Sequence, residues 1–169
     1  MAVLTRGQAA AARLLALIEE IAAEVDRQPP ALITWIPGED VWTVMDILCH
    51  IREFVPYWTG ETLRIVERPG EHWGRDHTDA GRLAAVANTA GFNLATVVTD
   101  LRKAAQRSAE ALNGLTDADL AVEATSRNPR FGVKPASFVV DHLLVQHVEK
   151  HLGQIRRNVS QYNAAERPA

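Results

Sequence analysis

A single cysteine, Cys49, stands among 169 residues, so no disulfide can form within the chain. The fold must rest on its hydrophobic core, and the reducing cytoplasm is the expected compartment. Long apolar runs are missing as well. The apolar opening stretch 9–20 is interrupted by Arg13 and ends in Glu19-Glu20. It is too short and too charged to span a bilayer, and it lacks the layout of a signal peptide. Basic charge is not in excess: 18 Lys and Arg face 21 Asp and Glu, the net charge is -3, and the cations are scattered. That removes the electrostatic footprint of a nucleic-acid binder. Neither nucleic acid nor a membrane is an expected partner; the expected partner is a small-molecule substrate. Strand-like alternation of useful length and any fixed-period repeat are also absent, which sets aside sheet-based and solenoid folds.

What is present is helical periodicity. Leu14, Ile18, Ile21 and Val25 form one apolar stripe and predict a helix from about Thr5 to Arg27, ended by Pro29-Pro30. A connector follows, with Asp40 as the expected N-cap of a second helix starting near Val41. Val44, Leu48, Ile51 and Val55 are its stripe, with Ile47, His50 and Phe54 on an adjoining one. Pro56 is expected to kink or stop it, and Arg68-Pro69-Gly70 to close its continuation. The polar loop 71–77 carries His72, Trp73 and His77. Leu83, Val86, Ala90, Leu94, Val97 and Leu101 predict one long third helix from Thr78 or Asp79 to about Leu112. Residues 116–120 read as a single helical turn, and 121–134 as an irregular crossover with room for a small hairpin. Pro135 opens a fourth helix that is expected to end near Asn158. Together these predict an all-α four-helix bundle with a long crossover before the last helix, a domain over 1–160 and a flexible tail over 161–169.

The last helix carries the chemistry. Val140, Leu144, His147, His151 and Ile155 share one stripe, so both histidines point into the core rather than to water. Residues four apart lie one above the other on a helix, and two inward imidazoles at that spacing can share a metal ion. The bland reading is two core-edge histidines satisfied by water or backbone carbonyls. His50, on the second helix, adds a third neutral nitrogen and leaves a fourth position for water, the count of a catalytic rather than a structural site. His142 lies about 140° around the helix from His147 and points elsewhere. His72 and His77 can reach over the mouth of the site, although surface histidines are the commoner case. Cys49 reads as a small buried residue. Glu149 is turned about 200° from His147, which excludes the base role of a His-Glu-x-x-His motif. Asp46 and Glu53 flank His50 and are the candidates for orienting a ligand or moving a proton, and solvated helix charge explains each equally well.

The runs Trp42-Thr-Val-Met-Asp46-Ile-Leu-Cys-His50-Ile and His147-Val-Glu-Lys-His151-Leu-Gly-Gln154-Ile155 resemble the DinB / YfiT superfamily in order and separation. The resemblance implies a four-helix bundle holding a divalent metal, zinc or nickel, on three histidines that carry over to His50, His147 and His151. It implies frequent homodimers, and either a metal-dependent hydrolase or a thiol transferase or isomerase using a low-molecular-weight thiol. Lys150 stands where the family often has a further His, which changes the rim and leaves the three histidines intact. Trp42 reads as an aromatic anchor for the second helix, Gly153 as room for a close neighbouring helix, and Gln154 as a hydrogen-bonding group beside the histidines; ordinary core packing is the alternative for each and the preferred reading for Trp42. Arg52, Arg75 and Arg82 are available for thiol carboxylates, but their positions are not legible. Two other readings remain at this stage: a metal-binding or stress-related module without turnover, and a dimeric bundle whose histidines are structural.

Overall fold

The structure, a computed structural model, describes residues 3–166. Helix α1 (Arg6–Asp26) begins with a reciprocal capping box between Thr5 and Gln8, and its predicted stripe is buried. Pro30 opens a four-residue helix, α2 (Pro30–Ile33), inside what the sequence presents as a connector. Helix α3 (Val44–Glu67) starts later than expected. Asp40 is not its cap: that residue sits in the left-handed region with φ 56°. The cap is Thr43, whose hydroxyl accepts from the Asp46 N–H while the Asp46 carboxylate accepts from the Thr43 N–H. Two reciprocal bonds satisfy two end donors of the helix, which one Asp further out cannot do. Pro56 lies inside α3 without ending it.

The expected long third helix is two elements. Helix α4 (Ala80–Ala85) ends after one and a half turns, a 3-10 turn follows at Thr89–Gly91, and α5 (Leu94–Asn113) begins afresh. Asn88 adopts φ 55°, and Asn93 caps α5 through its side chain. Both are residues that compete with helical hydrogen bonding, and they outweigh an apolar spacing that fitted by coincidence. Leu83, placed on the stripe by that spacing, is 50% exposed. Helix α6 (Asp117–Leu120) is the expected single turn, capped by Thr116. The crossover holds the small hairpin: β1 (Glu123–Thr125) pairs antiparallel with β2 (Val133–Pro135). The last helical run has three parts. A first turn, α7 (Ala136–Phe138), passes into a π-helical stretch Val139–Val145 and then α8 (Gln146–Ala165), with helical backbone throughout. It continues past the expected end near Asn158, and Tyr162 packs edge-on against Trp35 at 5.6 Å. Of the expected tail, residues 167–169 lie outside the described residues.

The long helices pack as a bundle in an uncommon order. α1 lies against α5 and α8, and α3 lies against α5 and the π-helical stretch. Consecutive α1 and α3 are therefore diagonal, which the long connections allow. Gly7 makes the α1–α5 contact possible: a Cβ there would stand 2.4 Å from the Leu112 carbonyl oxygen. Between α3 and α5 the Thr59 hydroxyl, bonded to the Val55 carbonyl, is paired with Ser108 at 2.9 Å.

Candidate metal centre

His50 is set by the register of α3: Ile47, Ile51 and Phe54 beside it are fully buried, so the helix face that carries it is turned inward. His147 and His151 occupy successive turns of α8. The three imidazoles meet between these helices, with one nitrogen from each lying within 4.8 Å of the other two. Ring centroids are 5.3 Å apart for His50–His147, 5.0 Å for His50–His151 and 4.7 Å for His147–His151. His50 is 2% exposed and His151 9%. His147 Nδ1 pairs with the Leu143 carbonyl oxygen at 3.2 Å, and His151 Nδ1 with Gln154 Oε1 at 2.9 Å. Both acceptors require Nδ1–H, so Nε2 carries the free lone pair on each ring. His50 Nδ1 and His151 Nε2 are buried with no hydrogen-bond partner. Burial, with the neighbouring imidazoles adding repulsion, pushes His50 down to about 2. Burial chiefly also brings His147 down to about 3 and lowers His151. All three rings are therefore neutral at physiological pH, the state in which imidazole binds a metal.

Aromatic rings enclose the triad. Phe54 stacks on His147 at 4.1 Å, and Trp42 stands edge-on to His50 at 4.9 Å and stacked toward His151 at 6.1 Å. Trp42 is thus part of the site wall as well as a helix anchor, held by its carbonyl, which accepts from Asn158 Nδ2 at 2.9 Å. A cleft of about 190 Å³ opens over His50. Phe54, Trp58, Phe131 and Leu143 form its apolar part, while Arg75, Arg82 and Arg130 bring positive charge. Arg75 comes from the polar loop, which is pinned by Trp73. That side chain is fully buried, donates to the Ala124 carbonyl at 2.9 Å, and its backbone joins the hairpin region through Thr125 and Arg127. Gly74, at φ 85°, turns the loop and gives its N–H to the nearly buried Glu61 carboxylate at 2.6 Å. Arg75 then lies over the Tyr57 ring at 3.7 Å and is gripped by both Glu53 oxygens at 2.6 Å and by Asp79 at 2.9 Å. Burial, helped by the Glu61 charge, raises the Tyr57 hydroxyl to about 12, so it stays protonated.

The sequence from residue 6 to residue 155 matches the model of the DinB superfamily. The chain belongs to the DinB superfamily. Among solved structures it is similar to YfiT from Bacillus subtilis, described as a probable metal-dependent hydrolase with an unusual four-helix bundle topology. The two share 11% identity over 95% of this chain and 92% of that one, with a TM-score of 0.71. At that identity the likeness establishes the fold alone. None of the curated proteins matches the sequence.

Several residues of this DinB-superfamily chain sit where the sequence pattern puts them. His142 is exposed and bonds Gln146 at 2.9 Å, away from the triad. Glu149 is exposed and pairs with Arg13 at 2.5 Å. Cys49 is 1% exposed, and burial raises its thiol, which disfavours the reactive thiolate. Gln154 bonds a site histidine as expected. Gly153 differs: it is exposed, and a Cβ there would meet open space, so no helix among the described residues approaches it. Asp46 is a capping residue whose second oxygen takes the Thr89 hydroxyl, and Glu53 is engaged by Arg75. Of the loop histidines, His77 lines the cleft and His72 is exposed outside it. The grouping of Arg75, Arg82 and Arg130 carries no local sequence signal, because three separate segments supply it.

Proposed function

We propose that His50, His147 and His151 hold one divalent cation, zinc or nickel, and that the protein is a metal-dependent enzyme acting on a small molecule in the adjoining cleft, with hydrolysis as its reaction. The pair of orphaned nitrogens carries this reading. His50 Nδ1 and His151 Nε2 are buried and unpartnered where three neutral imidazoles converge. Leaving a buried polar atom unsatisfied costs about 1–3 kcal/mol, and nothing among the described residues relieves it. Three imidazole nitrogens are a donor set that suits a borderline cation. Bound there with an open position, such a cation lowers the pKa of water or of a thiol and supplies a nucleophile at neutral pH. The Leu143 carbonyl and the Gln154 carboxamide fix ring orientation and tautomer at His147 and His151. Trp42 and Phe54 shield the imidazoles from bulk water, and the Glu53–Arg75–Asp79 cluster fixes the shape of the cleft beside them.

YfiT, similar in fold, is described as a probable metal-dependent hydrolase, which favours water as nucleophile. The arginines on the cleft favour a second reading, transfer of an anionic low-molecular-weight thiol to an electrophile. Metal analysis of wild type and His147→Ala, equilibrated with zinc or nickel and dialysed together, tests the assignment. Wild type is expected to retain about one cation per chain, and the variant far less. Equal retention refutes it. Ester and amide substrates, run against thiol and electrophile pairs, separate the two reactions. A metal-loaded protein inactive on both panels points to a binding module.

A further inference from the structure

We infer that the cleft beside the histidines takes a small molecule bearing an oxyanion, a carboxylate or phosphate, on an apolar body, and that Arg82 binds the oxyanion. This rests on the metal-dependent reading above and narrows its substrate class.

The three arginines on the cleft differ in what they already hold. Arg75 is already paired with two carboxylates, Glu53 and Asp79. Arg130 is exposed at the rim. Arg82 is half-buried and has no carboxylate in ion-pair range among the described residues. Its guanidinium makes one hydrogen bond, Nη1 to the His77 carbonyl at 3.0 Å, and lies 5.9 Å from the Trp42 ring centre. Its backbone is held too, because the Arg82 N–H donates at 2.9 Å to the same Asp79 oxygen that grips Arg75. A guanidinium has five N–H donors in a planar fork, so a partly desolvated, positioned arginine keeps most of its donors for a ligand. Carboxylate and phosphate are the groups whose paired oxygens fit that fork.

The other lining groups define the rest of the ligand. Among the described residues Asp76 is the one carboxylate on the cleft wall, and its Oδ1 is engaged by the Thr78 N–H and hydroxyl at 2.8 and 2.5 Å. The same cleft is also lined by Phe54, Trp58, Phe131 and Leu143. A wholly polar anion leaves that surface wet, and a wholly apolar ligand leaves Arg82 unpaired. An aryl or alkyl acid satisfies both, with its reacting bond at the end nearer His50.

Calorimetric titration of the zinc-loaded protein with benzoate, benzyl alcohol and inorganic phosphate tests this. Benzoate is expected to bind wild type and to weaken by about tenfold or more in Arg82→Gln, the loss of one charge-assisted pair. Benzyl alcohol is expected to bind both proteins alike. Equal benzoate affinity in wild type and Arg82→Gln overturns the inference, since the anion then sits on the cation or elsewhere. Phosphate binding without benzoate binding overturns the apolar half of it. Should Arg82→Gln fail to fold, phenylglyoxal labelling of the unaltered protein replaces it: benzoate is expected to slow modification of Arg82, and an unchanged rate refutes the assignment. Zinc content, measured on the same samples, separates the two levels. Zinc retained with no dependence on Arg82 sinks this inference alone. Zinc not retained sinks the metal reading, and the titration still reads Arg82 on the metal-free chain.

Discussion

Lowering the pH of the chelator-treated protein from about 7.5 to about 5 probes the burial of the three histidines directly. Burial first, then mutual repulsion, holds His50 at about 2 and His147 at about 3, against 6.5 for a free side chain, and lowers His151 as well. At pH 5 the folded chain leaves these rings unprotonated, whereas the unfolded chain protonates them. The unfolded state then binds more protons, so stability falls with falling pH. The effect is nearly absent above pH 7, begins below 6.5, and grows until the folded pKa values are reached. Linkage gives about 2 kcal/mol per histidine at pH 5, or about 4 kcal/mol for His50 and His147 together. For a chain of this length that corresponds to a drop in Tm of roughly 8–16 °C. The depressed carboxylates Glu19, Asp76, Asp79 and Asp119 do not confuse the window. Their stabilisation is lost as pH falls from the ordinary carboxylate values down through their lower folded values, beneath this interval. Thermal melts by circular dichroism across this interval give the readout, with the double variant His50→Leu, His147→Leu as the control expected to keep only the smaller fall that the buried His151 contributes. A metal-free wild type whose Tm does not move, or a double variant that falls equally, refutes the reasoning.

Three further outcomes are expected. Gln154→Leu removes the acceptor for His151 Nδ1–H while leaving all three imidazoles, and zinc affinity measured by chelator competition should fall about 10–100-fold. Gly7→Ala and Gly153→Ala should have opposite signs in denaturant melts. The first drives a Cβ into the Leu112 carbonyl and should destabilise by about 1–3 kcal/mol, while the second enters open space on an exposed helix and should stabilise by about 0.5–1 kcal/mol. Trp73→Ala should cost about 3–5 kcal/mol and, by releasing the loop that carries Arg75, lower turnover further than the change in stability explains.

Local pattern was a good guide wherever the governing interaction is local. The stripe of α1 and the inward face of α3 are buried as their spacing requires, and the single turn at residues 117–120 and the crossover hairpin appear where predicted. Where it misled, two local signals competed. Asp40 and Thr43 are both plausible caps, and only the partner three residues on, Asp46, distinguishes them. Apolar spacing ran across residues 83–101, yet Asn88 and Asn93 interrupt the backbone beneath it. Gly153 had no local signal either way: whether a glycine marks a close approach depends on a neighbour that the sequence does not name.

The sequence by itself determined the helical faces and the inward direction of His147 and His151, because a helix fixes the angle between residues four apart whatever surrounds it. Only tertiary structure decided that His50 meets them, since that contact joins segments nearly a hundred residues apart (positions 50 and 147) through the diagonal packing of the bundle. The same holds for Arg75 and Arg82. Asp79 links the two over only three and four residues, but their place on the cleft depends on Trp73 docking against the hairpin, and such a long-range contact leaves no periodic trace in the chain.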